Sequence, residues 1–316
     1  MNQLLLLLGK RIGAALLTLL LVSAVVFFIS SLLPGDAAQA MLGQSATPEA
    51  VAALRSALGL DQPGHIRYVH WLGGLLTGDP GISLANDMPV AELVATRLPK
   101  SLVLAGITTL VAVPLALFLG IYAAMHSGSR TDRVLSTLTL CMVAVPEFLL
   151  ATVAVLVFAV KLRWFSALSY APPDASLGEF LSAYAMPVMT LCLVLVAQMA
   201  RMTRAAVIDQ LNQPYVEMAV LKGASLGRVV LRHALPNAIG PIANAVALGL
   251  SYLLGGVIIV EVIFNYPGVA SLMVDAVTNR DMPLLQACAM IFCAAYLVLV
   301  LFADICAIVS NPKLRS

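Results

Sequence analysis

The chain has 316 residues, of which 61% are hydrophobic and only 11% charged, with a mean hydropathy of +0.97. Soluble domains carry about 25% charged residues, so this chain has too little polar surface to face water on all sides. The formal net charge of +2 is too small to suggest a nucleic-acid partner. The apolar residues fall in runs of about 20 or more rather than alternating, as a bilayer requires.

The expected fold class is an all-α integral membrane protein with about six transmembrane helices. The first span runs from about Ile12 to Leu33, behind Lys10 and Arg11, and is closed by Pro34-Gly35. Ala38-Gln39-Ala40 looks like a cleavage site, but an apolar core of about 22 residues exceeds the 7–15 usual for a signal peptide, so a retained anchor is expected. Residues 35–99 form the long polar stretch, punctuated by Pro48, Pro63, Pro80, Pro89 and Pro99. Within it Ala50–Leu58 is predicted to be a short helix, because Thr47-Pro48 supplies a cap and an N-terminal proline. Further spans are predicted at about Ser101–Met125, Val134–Val160, Ser182–Ile208, Ala238–Val262 and Leu285–Val309. The chain thus divides into an N-terminal transmembrane helix (1–34), an extracytoplasmic loop region (35–99) and a five-helix core (100–316).

Orientation follows from basic residues in short loops. With the N-terminus inside, the cytoplasmic segments hold Lys10, Arg11, Arg130, Arg133, Arg201, Arg204, Lys222, Arg228, Arg232, Lys313 and Arg315. The short outer loops hold only Lys161, Arg163 and Arg280. Both termini are therefore expected to be cytoplasmic. Arg55, Arg67, Arg97 and Lys100 lie in the long outer loop, whose length makes it insensitive to charge.

The cysteines Cys141, Cys192, Cys288, Cys293 and Cys306 all fall in apolar runs without a C-x-x-C pair, and are read as small hydrophobes. There is no G-x-x-x-x-G-K-[ST] loop and no H-E-x-x-H, and His65, His70, His126 and His233 are scattered. An enzyme is not expected, and neither is an ATP site of the phosphate-loop kind.

The segment from Arg201 to Pro236 is too polar to span and too long for a turn. Tyr215, Val216, Ala219, Val220 and Leu226 could line one face of a short amphipathic helix, with a break at Gly223. Such a helix, held along the membrane by two spans, is a docking element for the bilayer surface or a partner protein; the plainer reading is a solvated connector.

Three pieces of this segment resemble the "EAA" loop of permease subunits of bacterial ABC importers, most closely the dipeptide, oligopeptide and nickel branch. They are Tyr215-Val216-Glu217-Met218-Ala219, Lys222-Gly223-Ala224-Ser225 and His233-Ala234-Leu235-Pro236-Asn237-Ala238. The likeness continues through Leu58-Gly59-Leu60-Asp61-Gln62-Pro63 with Tyr68 and Trp71, Gly81-Ile82-Ser83, and Ala200-Arg201-Met202-Thr203-Arg204. It extends to Leu254-Gly255-Gly256, Glu261, Phe264, Pro267-Gly268, Arg280-Asp281-Met282-Pro283, Gln286 and the tail Asn311-Pro312-Lys313-Leu314-Arg315. Two positions depart from the family pattern: Met218 replaces the middle alanine of the triplet, and Asn311 replaces an acid in the tail. The first is expected to tune which ATPase subunit fits.

The resemblance implies a bacterial inner-membrane permease subunit that imports short peptides or related small solutes, such as nickel chelates or glutathione. It implies a coupling helix between spans 4 and 5, within about residues 201–236, that seats in a groove on a separate ATPase. Tyr215, Glu217, Ala219, Lys222, Gly223 and Ala224 are the residues carried over to that role. Implied partners are a homologous second permease, giving a heterodimer, two ATPase subunits and an extracytoplasmic binding protein. ATP and Mg would sit on the ATPases, with no cofactor in this chain. The rival reading is an ion-gradient-driven carrier, which predicts ionisable residues along several spans and inverted repeats.

Glu147 stands out by its chemistry alone. Midway along Val134–Val160, it would have about 20 Å of helix on each side. An ionised acid there costs at least ~2.5–3.5 kcal/mol, so it should face protein or water, and Pro146 before it should kink the span. Two readings stay open: Glu147 lines the translocation path and meets a positive group on the substrate, or it is a protonated acid bonded to a neighbouring helix. Glu261 and Asn265 flank the Pro267-Gly268 loop, which resembles the family's outer gate, and are candidates for the same path. Asp304 is expected to pair with another helix, and Arg280-Asp281 to form a local ion pair.

Overall fold

The computed structural model describes residues 2–32, 46–57, 59, 61–169 and 175–310. Pro34-Gly35, Ala38–Ala40, Leu58, Leu60 and the Asn311–Arg315 tail therefore lie outside the described residues. Apart from an isolated bridge between Ile82 and Pro89, the regular structure among them is helical. In chain order the helices are α1 (Asn2–Leu32), α2 (Pro48–Ala57), α3 (Gly64–Thr77), α4 (Val90–Met125), α5 (Arg130–Ala144) and α6 (Glu147–Ala154), the last continued by π-helical turns over Val155–Lys161. Then come α7 (Leu177–Leu211), α8 (Pro214–Leu221), α9 (Leu226–Val229) with a π-helical turn over Val230–Ala234, α10 (Leu235–Ile263), α11 (Val269–Thr278) and α12 (Met282–Ser310).

Among the described residues five stretches are long and apolar enough to cross a bilayer, and a sixth arises if the bent pair α5–α6 counts as one span. That agrees with the predicted number, but several boundaries differ. The second span begins at Val90 rather than near Ser101, running through Pro99; Val90 is fully buried against Val269, Leu272 and Leu284, and this packing holds the first turns despite the missing amide. The third is not one kinked rod. It turns by 98° at Val145-Pro146, because Val145 is extended (φ −87°, ψ 128°) and proline cannot continue the i→i−4 ladder. The fourth continues to Leu211, so Arg201 and Arg204 are helical and the true connector starts only at Asn212.

The chain forms two compact units. The first comprises Met1–Gly13, Val103–Tyr266 and Val298–Ser316. Its centre is α7, which packs against α5, α6 and α10. A capping box starts α7: the Ser176 amide donates to Glu179 at 2.8 Å and the Glu179 amide to the Ser176 hydroxyl at 3.4 Å, satisfying amides that a helix start leaves open. Ala183, Ala197, Ala200 and Ala206 are among its buried residues, and such small side chains let membrane helices approach closely where hydrophobicity cannot drive association. In the same unit Arg11 donates to Asp304 at 2.8 Å, the helix-to-helix pairing expected of that acid.

The second unit comprises Ala14–Leu102 and Pro267–Leu297. Its core joins Val90, Val269, Leu272, Ala276, Leu284, Ala287 and Cys288. Phe27 of α1 stacks near Tyr68 and Trp71 of α3 with ring centroids 5.5 and 5.4 Å apart, and the Ser23 and Tyr68 hydroxyls lie 2.8 Å apart. The predicted short helix exists as α2, starting at Pro48.

Candidate functional site

The predicted amphipathic segment is a helix, α8, with Pro214 at its first turn. Its fixed φ suits that position, where the missing N–H leaves no bond unmade. Of the five residues expected on one apolar face only Val216 is buried; Ala219 is half-buried, and Tyr215, Val220 and Leu226 are exposed. Met218 and Leu221 are exposed as well. The helix therefore presents most of its apolar surface outward instead of laying one stripe on its own chain.

The end of α8 is set by Gly223, at φ +82°. The Ala224 amide donates to the Ala219 carbonyl at 3.2 Å and the Gly223 amide to the Val220 carbonyl at 2.9 Å, the paired bonds of a Schellman termination. A Cβ at Gly223 would meet nothing within 4 Å. The glycine is there for its left-handed backbone, not for close approach to a neighbour. Glu217 and Lys222 are exposed.

Tyr215 ties this helix to both flanking spans. Its hydroxyl donates to the Gln210 side-chain carbonyl of α7 at 2.9 Å and accepts from Asn237 Nδ2 of α10 at 3.2 Å. The same Asn237 amide donates to the His233 carbonyl at 2.9 Å, next to Pro236, which has no amide of its own to offer the preceding turn. Gln210 and Asn237 were not singled out for this role by sequence; a polar residue one turn inside each span, on either side of the motif, is the signal that could have found them.

The C-terminal end of α7 is fixed by an ion pair that sequence did not foresee. Arg204 grips Asp132 of α5 with both arms, at 2.6 and 2.8 Å, and the Gly128 amide adds a bond to the same carboxylate at 2.9 Å. Asp132 is buried. The planar fork of arginine matches a carboxylate in this way.

Glu147 opens α6 immediately after the 98° break, so the expected column of straight helix on both sides does not exist. Its side chain lies against α10: a Cβ built at Gly256 would sit 2.8 Å from Oε2. Glu261 is fully buried near the end of α10. Asn265 takes a left-handed conformation (φ 47°), and the Tyr266 amide donates to the Glu261 carbonyl at 2.8 Å; Asn265 therefore terminates α10, a place where asparagine tolerates positive φ. Tyr266 and Tyr184 join through their hydroxyls at 2.9 Å. Burial, then the bond from Tyr184, raises the Tyr266 phenol above its ordinary value.

The local Arg280–Asp281 ion pair does not form among the described residues. Asp281 is fully buried and accepts from the Ser83 hydroxyl, the Ala85 amide at 3.3 Å and the Leu284 amide at 3.3 Å. Arg280 instead takes φ 57° at the end of α11. The Gly81-Ile82-Ser83 and Arg280-Asp281-Met282-Pro283 segments are thus one structural element.

Taken together, these features define a multi-pass helical membrane protein that displays a short, tethered helix between its fourth and fifth apolar stretches. Residues 116–316 match the family described as binding-protein-dependent transport system inner membrane component, and residues 4–105 match the N-terminal region of such membrane components. The chain is 31% identical over 306 residues to a probable peptide ABC transporter permease protein of Sinorhizobium fredii, covering 97% of this chain and 98% of that one. It is 35% identical to the glutathione transport system permease protein GsiC of Salmonella choleraesuis, and 34% to that of Escherichia coli K12, each over 97% of both chains.

The chain belongs to the family of binding-protein-dependent transport system inner membrane components. It is a multi-pass inner-membrane protein and the permease component of an ABC importer. An ion-gradient-driven carrier is correspondingly not favoured. The family relation also implies separate ATPase and substrate-binding partners, with this chain not the catalytic subunit.

Proposed function

We propose that α8 is the coupling helix of this permease, seated in a groove on a separate ATPase subunit. The observation that carries this is the outward display of Met218, Val220 and Leu221 on a helix stopped by Gly223 and tied at Tyr215 to the spans on both sides. Closure of two ATP-bound subunits would move their grooves, and a helix so tethered passes that motion to α7 and α10. Glu217 and Lys222 supply charged contacts at the rim, and Ala219 and Ala224 leave room for the groove wall. Gly223 holds the turn after the helix.

In this arrangement both termini face the cytoplasm, and residues 1–34, 35–89 and 90–316 serve as anchor, extracytoplasmic region and permease core, the last boundary moved from 99 to the start of the helix at Val90. A homologous second permease, two ATPase subunits that hold ATP and Mg, and an extracytoplasmic binding protein complete the transporter; this chain needs no cofactor. Relatives named for peptide and glutathione transport support short peptides and related small solutes as cargo. Glu147, Glu261 and Asn265 belong to the translocation path in this reading.

The test is a mild-detergent pull-down of the tagged chain with mass spectrometry. A P-loop ATPase is expected in the wild-type eluate and lost when Glu217 and Gly223 are both replaced. A chain that emerges alone, or as a homo-oligomer, while still supporting uptake would overturn the proposal.

A further inference from the structure

The acids with partners in the first unit are matched: Asp304 by Arg11 and Asp132 by Arg204. Glu147 is different. Its carboxylate has no hydrogen bond or ion pair among the described residues, although it is half-buried and pressed against Gly256 of α10. The 15 residues of α5 rise about 22 Å, which puts the break deep in a hydrocarbon core about 30 Å thick. Of the two readings of Glu147, the bond to a neighbouring helix is not made among the described residues.

The break adds a second acceptor. Pro146 has no N–H, so the Met142 carbonyl loses its helical donor where Val145 turns extended. An acid and a freed carbonyl at a broken membrane helix make a site that favours a cation with several N–H donors. Gly256 lets this carboxylate lie against α10; a methyl there would collide with Oε2 at 2.8 Å.

Resting on the permease reading, we infer that Glu147, at the interruption of the helix, forms a subsite for the primary ammonium group of the transported solute. An ammonium offers three N–H donors and one positive charge, which answers both the charge and the open acceptor. Peptides and glutathione, the cargo of the named relatives, carry such a group. An acetylated amine loses the charge and keeps only one N–H donor.

The test is ATP-dependent uptake by the complete transporter in proteoliposomes, with its binding protein, of a dipeptide and its N-acetyl counterpart. Glu147→Gln is expected to reduce dipeptide uptake at least about ten-fold more than uptake of the acetylated solute, and Glu147→Asp to restore much of the difference. Equal losses for both solutes, or no loss for either, would overturn the subsite. Co-purification of the ATPase with the Gln variant shows that the complex has assembled. If the wild-type complex moves neither solute with ATP, the permease reading fails along with the subsite; equal losses in an active complex reject the subsite alone.

Discussion

Arg204 of α7 and Asp132 of α5 meet through two parallel hydrogen bonds, 2.6 and 2.8 Å long, across 72 positions of sequence. Ser129 caps α5 by accepting from the Asp132 amide at 3.1 Å, so the acid is held in place before the arginine reaches it. The pair fixes α5 against the end of α7, from which α8 follows.

Replacing Arg204 by Ala leaves a buried carboxylate without its partner. Breaking fully buried pairs costs about 3–5 kcal/mol; here Arg204 stays partly exposed, so we expect about 2 kcal/mol. Arg204→Lys keeps the charge but not the fork and should lose roughly half as much. Thermal unfolding midpoints in detergent check both values; an Arg204→Ala midpoint equal to wild type contradicts them.

At Gly223 the cost is conformational. A side chain in the left-handed region costs roughly 1–2 kcal/mol, so Gly223→Val should loosen the end of α8 and lower uptake. Gly223→Asn, which tolerates positive φ, should be milder. If the two variants transport equally poorly, the residue is needed for contact with a partner and not for its backbone.

Tyr215→Phe removes the two bonds that join α7, α8 and α10 while keeping the ring. Each such bond contributes about 1 kcal/mol. The ATPase should still co-purify, but uptake per ATP hydrolysed should fall. A double-mutant cycle with Asn237→Leu should give a coupling energy of roughly 0.5–1 kcal/mol; strict additivity would show that the bond transmits nothing.

Asp281→Ala should release the segment around Ser83. The buried Ser83 hydroxyl and the Ala85 amide lose their shared acceptor, at about 1–3 kcal/mol for each group left unsatisfied. Hydrogen exchange of residues 79–89 should accelerate relative to wild type, whereas Arg280→Ala should leave it unchanged.

Much of the fold was open to reading from composition. Runs of apolar residues long enough to cross a bilayer can be satisfied only by helices, and so the number and order of spans followed. A short helix broken at Gly223 was visible in the polar connector, while the role proposed for it came from the family resemblance and not from the pattern. The 98° turn was foreseen only as a kink, since proline marks where a ladder fails but not how far the chain then swings.

The amino-acid sequence by itself determined that this chain lives in a membrane, roughly where its spans lie, and where a short helix sits in the polar connector. These depend on hydropathy and dihedral preference, which act within a few residues. Tertiary structure alone decided that Arg204 belongs to Asp132, that Ser83 belongs to Asp281 rather than leaving it to Arg280, and that Glu147 belongs to none of the described side chains. A charge takes whichever partner the packing brings within hydrogen-bond reach, and that geometry is made by helices far apart in sequence.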